Sequence, residues 1–508
     1  MEIAARLTVR KKLFLFLGGI TLLRLFTAGS FELSLDEGYY WLWSKHLAAG
    51  YYDHPPMVAY VVALTTLFSD AEFFIRLGPV AGALVSSLIL YRLAVCLFDD
   101  ERAGFYAVLI ANITLVFTVG ALIATPDAPL IPLYIAGMLL FLWAARSEPG
   151  KRKSYAVWIA AGAAAGGALL SKYTAAFFFP CAFLYLLVSP NCRLWLKRPE
   201  PYIGAVVSFL VFLPVIVWNA RHDWVSLAFQ ASHGLSSVKG NPFELFAEFA
   251  GFQIVLYSIG IFFFLFAAGI SLAGKLFIPS PSPSSGLDPR AGEAALFLFS
   301  FSFPILLFFV LNSFRTRIEG NWPILGFIPL MVQAGGMAAT WKELSAQMRL
   351  FKFAAAIAVL MLIVLHVQII NPVIPHPQRY EISRRIYGWK FLAEKVDHAR
   401  KKIDAAFLVS NRYQIASLIT YYADPPINAY LPGKNGDLRF YFLPHPDGYK
   451  GKNALYLTEE GRDDSAKIAP LFERMEKTGT IDIVRKGELI RRFTLYLCYN
   501  YRGGLEKS

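Results

Sequence analysis

Charge is scarce in this chain of 508 residues: Asp, Glu, Lys and Arg make up 17% of it, against 56% hydrophobic residues. Ordinary soluble chains carry about 25% charged residues, so the shortfall excludes a soluble protein and leaves lipid to face the apolar excess. Cysteine is scarce as well. Four Cys are too few for a disulfide scaffold, and Cys498 stands alone in the last part of the chain. Missing altogether are the G-x-x-x-x-G-K-S/T phosphate loop, the G-x-S-x-G elbow, a G-x-G-x-x-G after a strand, and the H-x-x-x-H and C-x-x-C metal spacings. No fixed-period repeat is present. What is abundant is aromatic: 43 Phe, 25 Tyr and 10 Trp exclude a disordered or collagen-like chain.

A 30 Å hydrocarbon core demands about 20 apolar residues per helix. Eleven stretches meet that demand: 13–29, 74–97, 104–122, 128–145, 155–170, 173–189, 201–219, 251–274, 294–312, 322–340 and 351–370. The expected fold class is an α-helical polytopic membrane protein of about 11–13 transmembrane helices, with a small C-terminal α/β domain. The apolar run Pro55–Phe68 is too short to span and reads as an interfacial or re-entrant helix. No A-x-A cleavage site follows the first span, which is read as a retained anchor.

Basic residues set the orientation. On the side of the N-terminus lie 17 of them, from Arg6, Arg10, Lys11 and Lys12 to Lys342, Arg349 and Lys352. The opposite short loops hold six: Lys45, Lys172, Arg221, Lys239, Arg315 and Arg317. Positive-inside bias then makes the N-terminus cytoplasmic and puts everything after about residue 371 outside. Two domains follow, a membrane domain over 1–370 and an outer α/β domain over 371–508. In the latter Ala405–Ser410, Asn453–Thr458 and Phe493–Tyr499 read as strands, while Glu381–Lys402 and Ala466–Lys477 read as helical. Ser280–Gly292 reads as a flexible cytoplasmic loop.

Acids and histidines, which played no part in that assignment, gather on the outer side. Asp36 and Glu37 follow span one, and Asp53-His54 precede Pro55-Pro56. Asp127 lies between spans three and four, Lys172 between five and six, and Arg221-His222-Asp223 after seven. Arg315, Arg317, Glu319 and Asn321 follow span nine. Ionisable groups near lipid are expensive, so their convergence marks a site. Plainer readings stand beside it: Asp36-Glu37 as the acidic start of a helix and Asp127 as the cap of span four, Asp53-His54-Pro55-Pro56 as a rigid turn, Lys172 as a snorkelling side chain.

In order along the chain, LDEGYYWLWSKHLAAGYYDHPPMVAY, RLGPVAGALV, TPDAPL, LLSKYTA, WNARHDWVSLAFQASHG and RIEGNWP resemble the bacterial members of glycosyltransferase family 39. These are related to the protein O-mannosyltransferases and to the lipid A aminoarabinose transferases. The resemblance covers about residues 10–340 and is strongest in the first outer loop. It implies a GT-C membrane fold and transfer of a sugar from a polyprenyl-phosphate donor to a lipid, glycan or protein acceptor at the outer face of a bacterial inner membrane. By the same resemblance Asp36 is the catalytic general base, Glu37 its companion, and Lys172 a contact of the donor phosphate. Asp53-His54 occupy the place of an acidic-basic pair that is Glu-Lys in the aminoarabinose transferases, and Glu319 matches an acid of the later outer loop. Arg76 and Arg221 are further cations for the departing phosphate, and His222, Asp223 and Asn321 complete the expected substrate-binding set. Asp36, Asp53, His222 and Glu319 are candidate ligands of a divalent metal ion.

A transporter of lipid-linked sugars is the alternative. Transport asks for polar residues at mid-depth and often for inverted repeats, whereas charges inside these spans are few, Arg24 and Arg92 among them. The net charge of +13 is no nucleic-acid footprint: the tail from 371 holds 23 Lys and Arg against 16 Asp and Glu, a balance of +7, and the rest follows the membrane sidedness.

Overall fold

Among the described residues seven helices are long and apolar enough to cross a membrane: Glu72–Phe98, Asp127–Ala145, Arg152–Ser171, Pro199–Arg221, Ile259–Phe277, Arg290–Ser313 and Ala346–Ile370. They belong to a computed structural model that describes residues 8–236, 240–277, 289–373 and 383–507. Most of Ser280–Gly292 lies outside the described residues, as do Arg6, Lys239 and Glu381.

The membrane region runs α1 (Val9–Ala28), α2 (Glu37–Lys45), α3 (Met57–Thr65), α4 (Glu72–Phe98), α5 (Glu101–Asn112), α6 (Leu115–Gly120), α7 (Asp127–Ala145), α8 (Arg152–Ser171), α9 (Phe178–Val188), α10 (Pro199–Arg221), α11 (Val225–Leu235), α12 (Pro242–Leu256), α13 (Ile259–Phe277), α14 (Pro289–Ser313), α15 (Ile324–Thr340) and α16 (Ala346–Ile370). Two expected spans are broken. The run 104–122 divides at Ile113-Thr114, where the Thr114 hydroxyl donates to Ala111 O at 2.7 Å and the Thr118 hydroxyl to Asn112 O at 3.3 Å. Such local side-chain bonds compete with helix continuation. The run 251–274 breaks at Ser258, whose φ of 57° is left-handed, between α12 and α13. α9 together with the turn before it, and α15, are shorter apolar helices. α8 and α10 touch backbone to backbone, since a Cβ on Gly162 would fall 2.0 Å from Gly204 O; small residues permit that approach between helices in lipid. The run after Pro55-Pro56 forms only the nine-residue α3.

The C-terminal part continues as α17 (Ser383–Ile386), α18 (Trp389–Ile403), β1 (Ala405–Ser410), α19 (Tyr413–Tyr422), β2 (Ala429–Tyr430), α20 (Lys434–Arg439), β3 (Asn453–Glu459), β4 (Phe472–Arg485) and β5 (Glu488–Tyr501). The sheet order is β2-β1-β3-β5-β4, parallel from β2 to β3 and antiparallel beyond. α18 buries Trp389, Leu392, Ala393, Val396, Ala399 and Ile403, one stripe at helical spacing, and ends on Arg400, Lys401 and Lys402, cations that suit a helix C-terminus. The helix expected over Ala466–Lys477 stops early: Phe472–Lys477 opens β4, because pairing with Tyr496–Tyr501 of β5 overrides the helical preference of Glu, Arg, Met and Lys.

Two apolar cores result. One lies among the membrane helices, from Leu13 to Leu362. The other joins the first long loop to the C-terminal domain, packing Leu33, Tyr39, Trp41, Trp43, Tyr51 and Val58 with Trp389, Leu418, Phe440 and Phe493. Segments at opposite ends of the chain thereby share one interior, and the expected boundary near residue 371 is no boundary between cores.

Candidate functional site

The acidic pair divides at once. Glu37 opens α2 and Arg76 sits in the second turn of α4, and both are fully buried. Arg76 donates to Glu37 Oε1 at 3.0 Å and Oε2 at 2.7 Å, and to the carbonyls of Ala28, Phe31 and Glu32 at 2.7–2.9 Å. That uses all five guanidinium donors. Glu37 also accepts from the amides of Ser34 at 2.8 Å and Ala124 at 3.1 Å. Carboxylate and guanidinium are therefore saturated, and together they tie the end of α1, α2, α4 and the turn before α7. This corrects two expectations: Glu37 has no free lone pair for chemistry, and Arg76 has no free N–H for a phosphate.

Asp36 points the other way. Tyr413 of α19 donates its O–H to Asp36 Oδ1 at 3.0 Å. Burial raises the Asp36 carboxyl above the ordinary range; the Tyr413 bond opposes the shift and Asp53 adds to it. Asp36 makes no side-chain cap of α2, so the capping reading of this residue falls away.

Asp53, on the rigid turn before Pro55, is buried and held from two sides. Tyr39 donates to Oδ2 at 2.9 Å, and Arg439 Nη2 at the end of α20 meets Oδ1 at 2.9 Å. The Arg439 guanidinium lies over the faces of Tyr52, Tyr413 and Phe229, at 4.4, 4.9 and 5.4 Å from the ring centroids. His54, beside Gln230 of α11 at 3.4 Å, is pushed down to about 3 by burial and then by Lys172 and His233, and is neutral at physiological pH.

Lys172, at the end of α8, reaches Asp127 Oδ1 at 2.8 Å and Oδ2 at 3.1 Å, with both side chains about nine-tenths buried. Asn321 donates to Asp127 Oδ2 at 2.5 Å. Asp127 is thus a partner of Lys172 rather than the cap of span four, since it is the first residue inside α7 and the cap position is taken by Pro126. The buried phenol of Tyr40 lies within the fields of Asp36, Asp53 and Asp127 together, and burial with those charges raises it well above its ordinary range. Three carboxylates and two cations, brought from five separate segments, meet around α2 at one end of the helices.

Other expected members stand apart. His222 stacks on Trp218 at 4.1 Å, bonds the Trp218 carbonyl through Nδ1 at 2.8 Å and touches Tyr441, so it helps to seat the C-terminal domain. Arg221, Asp223 and Glu319 are exposed, the first two on the turn that ends α10. The four candidate metal ligands form no cluster: His222 is engaged with Trp218 and Tyr441, Glu319 is exposed, and among the described residues no group of three or more His, Cys, Asp or Glu could hold a metal ion. Tyr413 and Arg439 carry no signal of a site in the sequence. One Arg among the 23 basic residues of the tail carries no mark that separates it from the others. Gln230 and His233 sit inside the WNARHDWVSLAFQASHG motif and were legible only as part of it.

Comparison with known proteins bears on this geometry. Residues 53–218 match the family model of dolichyl-phosphate-mannose-protein mannosyltransferase. The lipid A galacturonosyltransferase RgtD of Rhizobium johnstonii is 26% identical over 313 residues, 61% of this chain and 60% of its own length. An undecaprenyl phosphate-alpha-4-amino-4-deoxy-L-arabinose arabinosyl transferase of Yersinia enterocolitica is 29% identical over 31% of this chain and 29% of its own length. The chain thus spans less than two thirds of the curated relatives it matches. The crystal structure of ArnT from Cupriavidus metallidurans bound to undecaprenyl phosphate superposes with a TM-score of 0.64 at 16% identity, covering 95% of this chain and 97% of that one. With seven membrane-length helices among the described residues, a small C-terminal sheet domain and this end-to-end superposition, the chain is a multi-pass membrane protein of the GT-C fold.

Proposed function

We propose that this protein is an integral-membrane glycosyltransferase that moves a sugar from a polyprenyl-phosphate donor to an acceptor hydroxyl on the outer face of a bacterial inner membrane. The observation that carries the reading is the placement of Asp36, a carboxyl raised by burial, beside the Lys172–Asp127 pair and the Asp53–Arg439 pair at one end of the helices. A raised carboxyl is a stronger base, and it lies on the side that the excess of basic loops opposite marks as outer.

In the reaction the acceptor oxygen attacks the anomeric carbon and its proton passes to the Asp36 carboxylate. The bond from the anomeric carbon to the phosphate oxygen breaks, polyprenyl phosphate departs, and one displacement inverts the sugar. Lys172 stabilises the negative charge that grows on the leaving phosphate; the ammonium is shared with Asp127 until the donor arrives. Arg439 and Tyr39 orient Asp53, and His54, being neutral, offers the sugar a hydrogen-bonding ring and no charge. The names of RgtD and of the arabinosyl transferase tie those relatives to lipid A and to undecaprenyl phosphate. An envelope glycolipid is accordingly the first acceptor to examine, by mass spectrometry of envelopes with and without the protein.

Asp36→Asn in reconstituted liposomes tests the reading. Transfer is lost while the protein inserts and unfolds as the wild type does; near-normal turnover would refute the base. Lys172→Ala raises the KM for the lipid donor more than that for the acceptor, and the reverse pattern would remove the phosphate contact.

A further inference from the structure

α4, α7 and α14 each have one end at or near the outer site and the other at the opposite membrane face. A helix of the length of α7, 19 residues, rises about 28 Å, close to a full hydrocarbon core. At those far ends the three helices surround a cavity of about 810 Å³ lined by Arg92, Trp143, Arg146, Arg290, Asp99 and Glu293.

The charges there are unequally matched. Arg146 Nε pairs with Glu293 at 2.9 Å and its Nη1 bonds Cys96 O at 3.0 Å, while Tyr185 donates to the same Glu293 oxygen at 3.3 Å. Arg290 stands 3.5 Å from Asp99, both exposed. Arg92 lies inside a membrane-length helix and makes no hydrogen bond or ion pair among the described residues. A guanidinium in the last two turns of a membrane-length helix reaches toward the interface, where an anion is its natural partner. Among the described residues that line the cavity three arginines face two carboxylates, each within ion-pair distance of one arginine, so the described lining carries a surplus of one positive charge. The wall beside Arg92 is apolar, from Val95, Leu97, Phe98 and the indole of Trp143, which suits the level where head group meets acyl chain.

From this we infer a second binding site, for the phosphate diester of an anionic phospholipid, seated between α4, α7 and α14 at the membrane face opposite the sugar-transfer site, with Arg92 as its principal contact. Guanidinium matches phosphate geometry with paired N–H donors, and the acyl chains continue along the apolar wall into the bilayer. A zwitterionic head group meets Arg92 with its phosphate but leaves the surplus positive charge uncompensated, because its amine cancels the charge of that phosphate.

The test uses the purified full chain in detergent, titrated with phosphatidylglycerol, with phosphatidylethanolamine and with inorganic phosphate, and bound lipid is counted by native mass spectrometry. Phosphatidylglycerol binds severalfold more tightly than phosphatidylethanolamine. Arg92→Gln weakens phosphatidylglycerol about fivefold, the equivalent of about 1 kcal/mol per basic residue near a lipid surface, and Arg92→Lys restores most of the loss. Because Arg92 is exposed, neither change disturbs a packed core, and an unaltered thermal midpoint confirms that. Equal binding of the two lipids, or unchanged affinity in Arg92→Gln, overturns the proposal. Displacement of the lipid by inorganic phosphate at equal concentration also overturns it, since the site would then read free phosphate and not a lipid head group.

Discussion

Replacing Glu37 with alanine leaves the Arg76 guanidinium buried with no carboxylate, and the size of the penalty follows from the surroundings. Arg76 keeps its three carbonyl acceptors but loses both bonds to Glu37, and the amides of Ser34 and Ala124 lose theirs. Removing one partner of a buried pair costs about 3–5 kcal/mol, a large share of the roughly 5–15 kcal/mol that holds a protein folded. Thermal unfolding of the detergent-solubilised chain, followed by intrinsic fluorescence, should fall on the order of 10 °C. Asp36→Asn should behave oppositely. Its carboxyl is already disfavoured as an anion by burial, so the amide is tolerated and the midpoint stays near that of the wild type while transfer disappears. The two neighbours are thus separable by one pair of measurements. A Glu37→Ala protein with a wild-type midpoint and no turnover would refute the architectural place given to Glu37 and return it to the chemistry.

Three further outcomes follow from the same contacts. Tyr413→Phe removes the O–H that holds the Asp36 carboxyl down, so the acid limb of the pH–rate profile moves to higher pH while the plateau above it is kept; an unmoved limb would detach Tyr413 from the base. Arg439→Ala leaves Asp53 with Tyr39 as its remaining side-chain donor, costs about 3 kcal/mol, and should speed proteolysis of the C-terminal domain, with equal digestion rates counting against the pair as a tether. His54 is pushed down to about 3 from an ordinary 6.5, so as pH falls through that window the unfolded chain takes up a proton that the folded chain refuses. Stability is therefore lost from about pH 6.5 downward, and His54→Gln should flatten that part of the pH–stability curve.

Much of this architecture is legible in the sequence because lipid imposes a coarse rule, about 20 apolar residues per crossing. Asp127–Ala145 and Pro199–Arg221 follow it closely. The rule fails where a short-range bond decides, as at Thr114 and Thr118, or where one residue turns left-handed, as at Ser258, since neither alters the hydropathy of its segment. In the site, Asp36, Asp53 and Lys172 were visible as costly charges near a membrane. Glu37 is visible for the same reason, but adjacency in sequence conceals that successive residues at a helix start face different partners. Arg439 and Tyr413 could not be seen: their distance from Asp53 and Asp36 is small only after the sheet domain has folded onto the first loop.

The shared second core sets an order of assembly. Asp36 and Tyr413 are 377 residues apart, and Asp53 and Arg439 are 386 apart. At ribosomal rates of about 5–20 residues per second, the first long loop waits roughly 20–80 s for the segment that completes its interior. Throughout that interval its tryptophans and tyrosines lack the partners from Trp389 onward that complete their burial. A chain released early, without its last hundred or so residues, would carry every acid read from the first loop and still have no finished site, so the competence of the oldest part of the polypeptide is decided by the youngest.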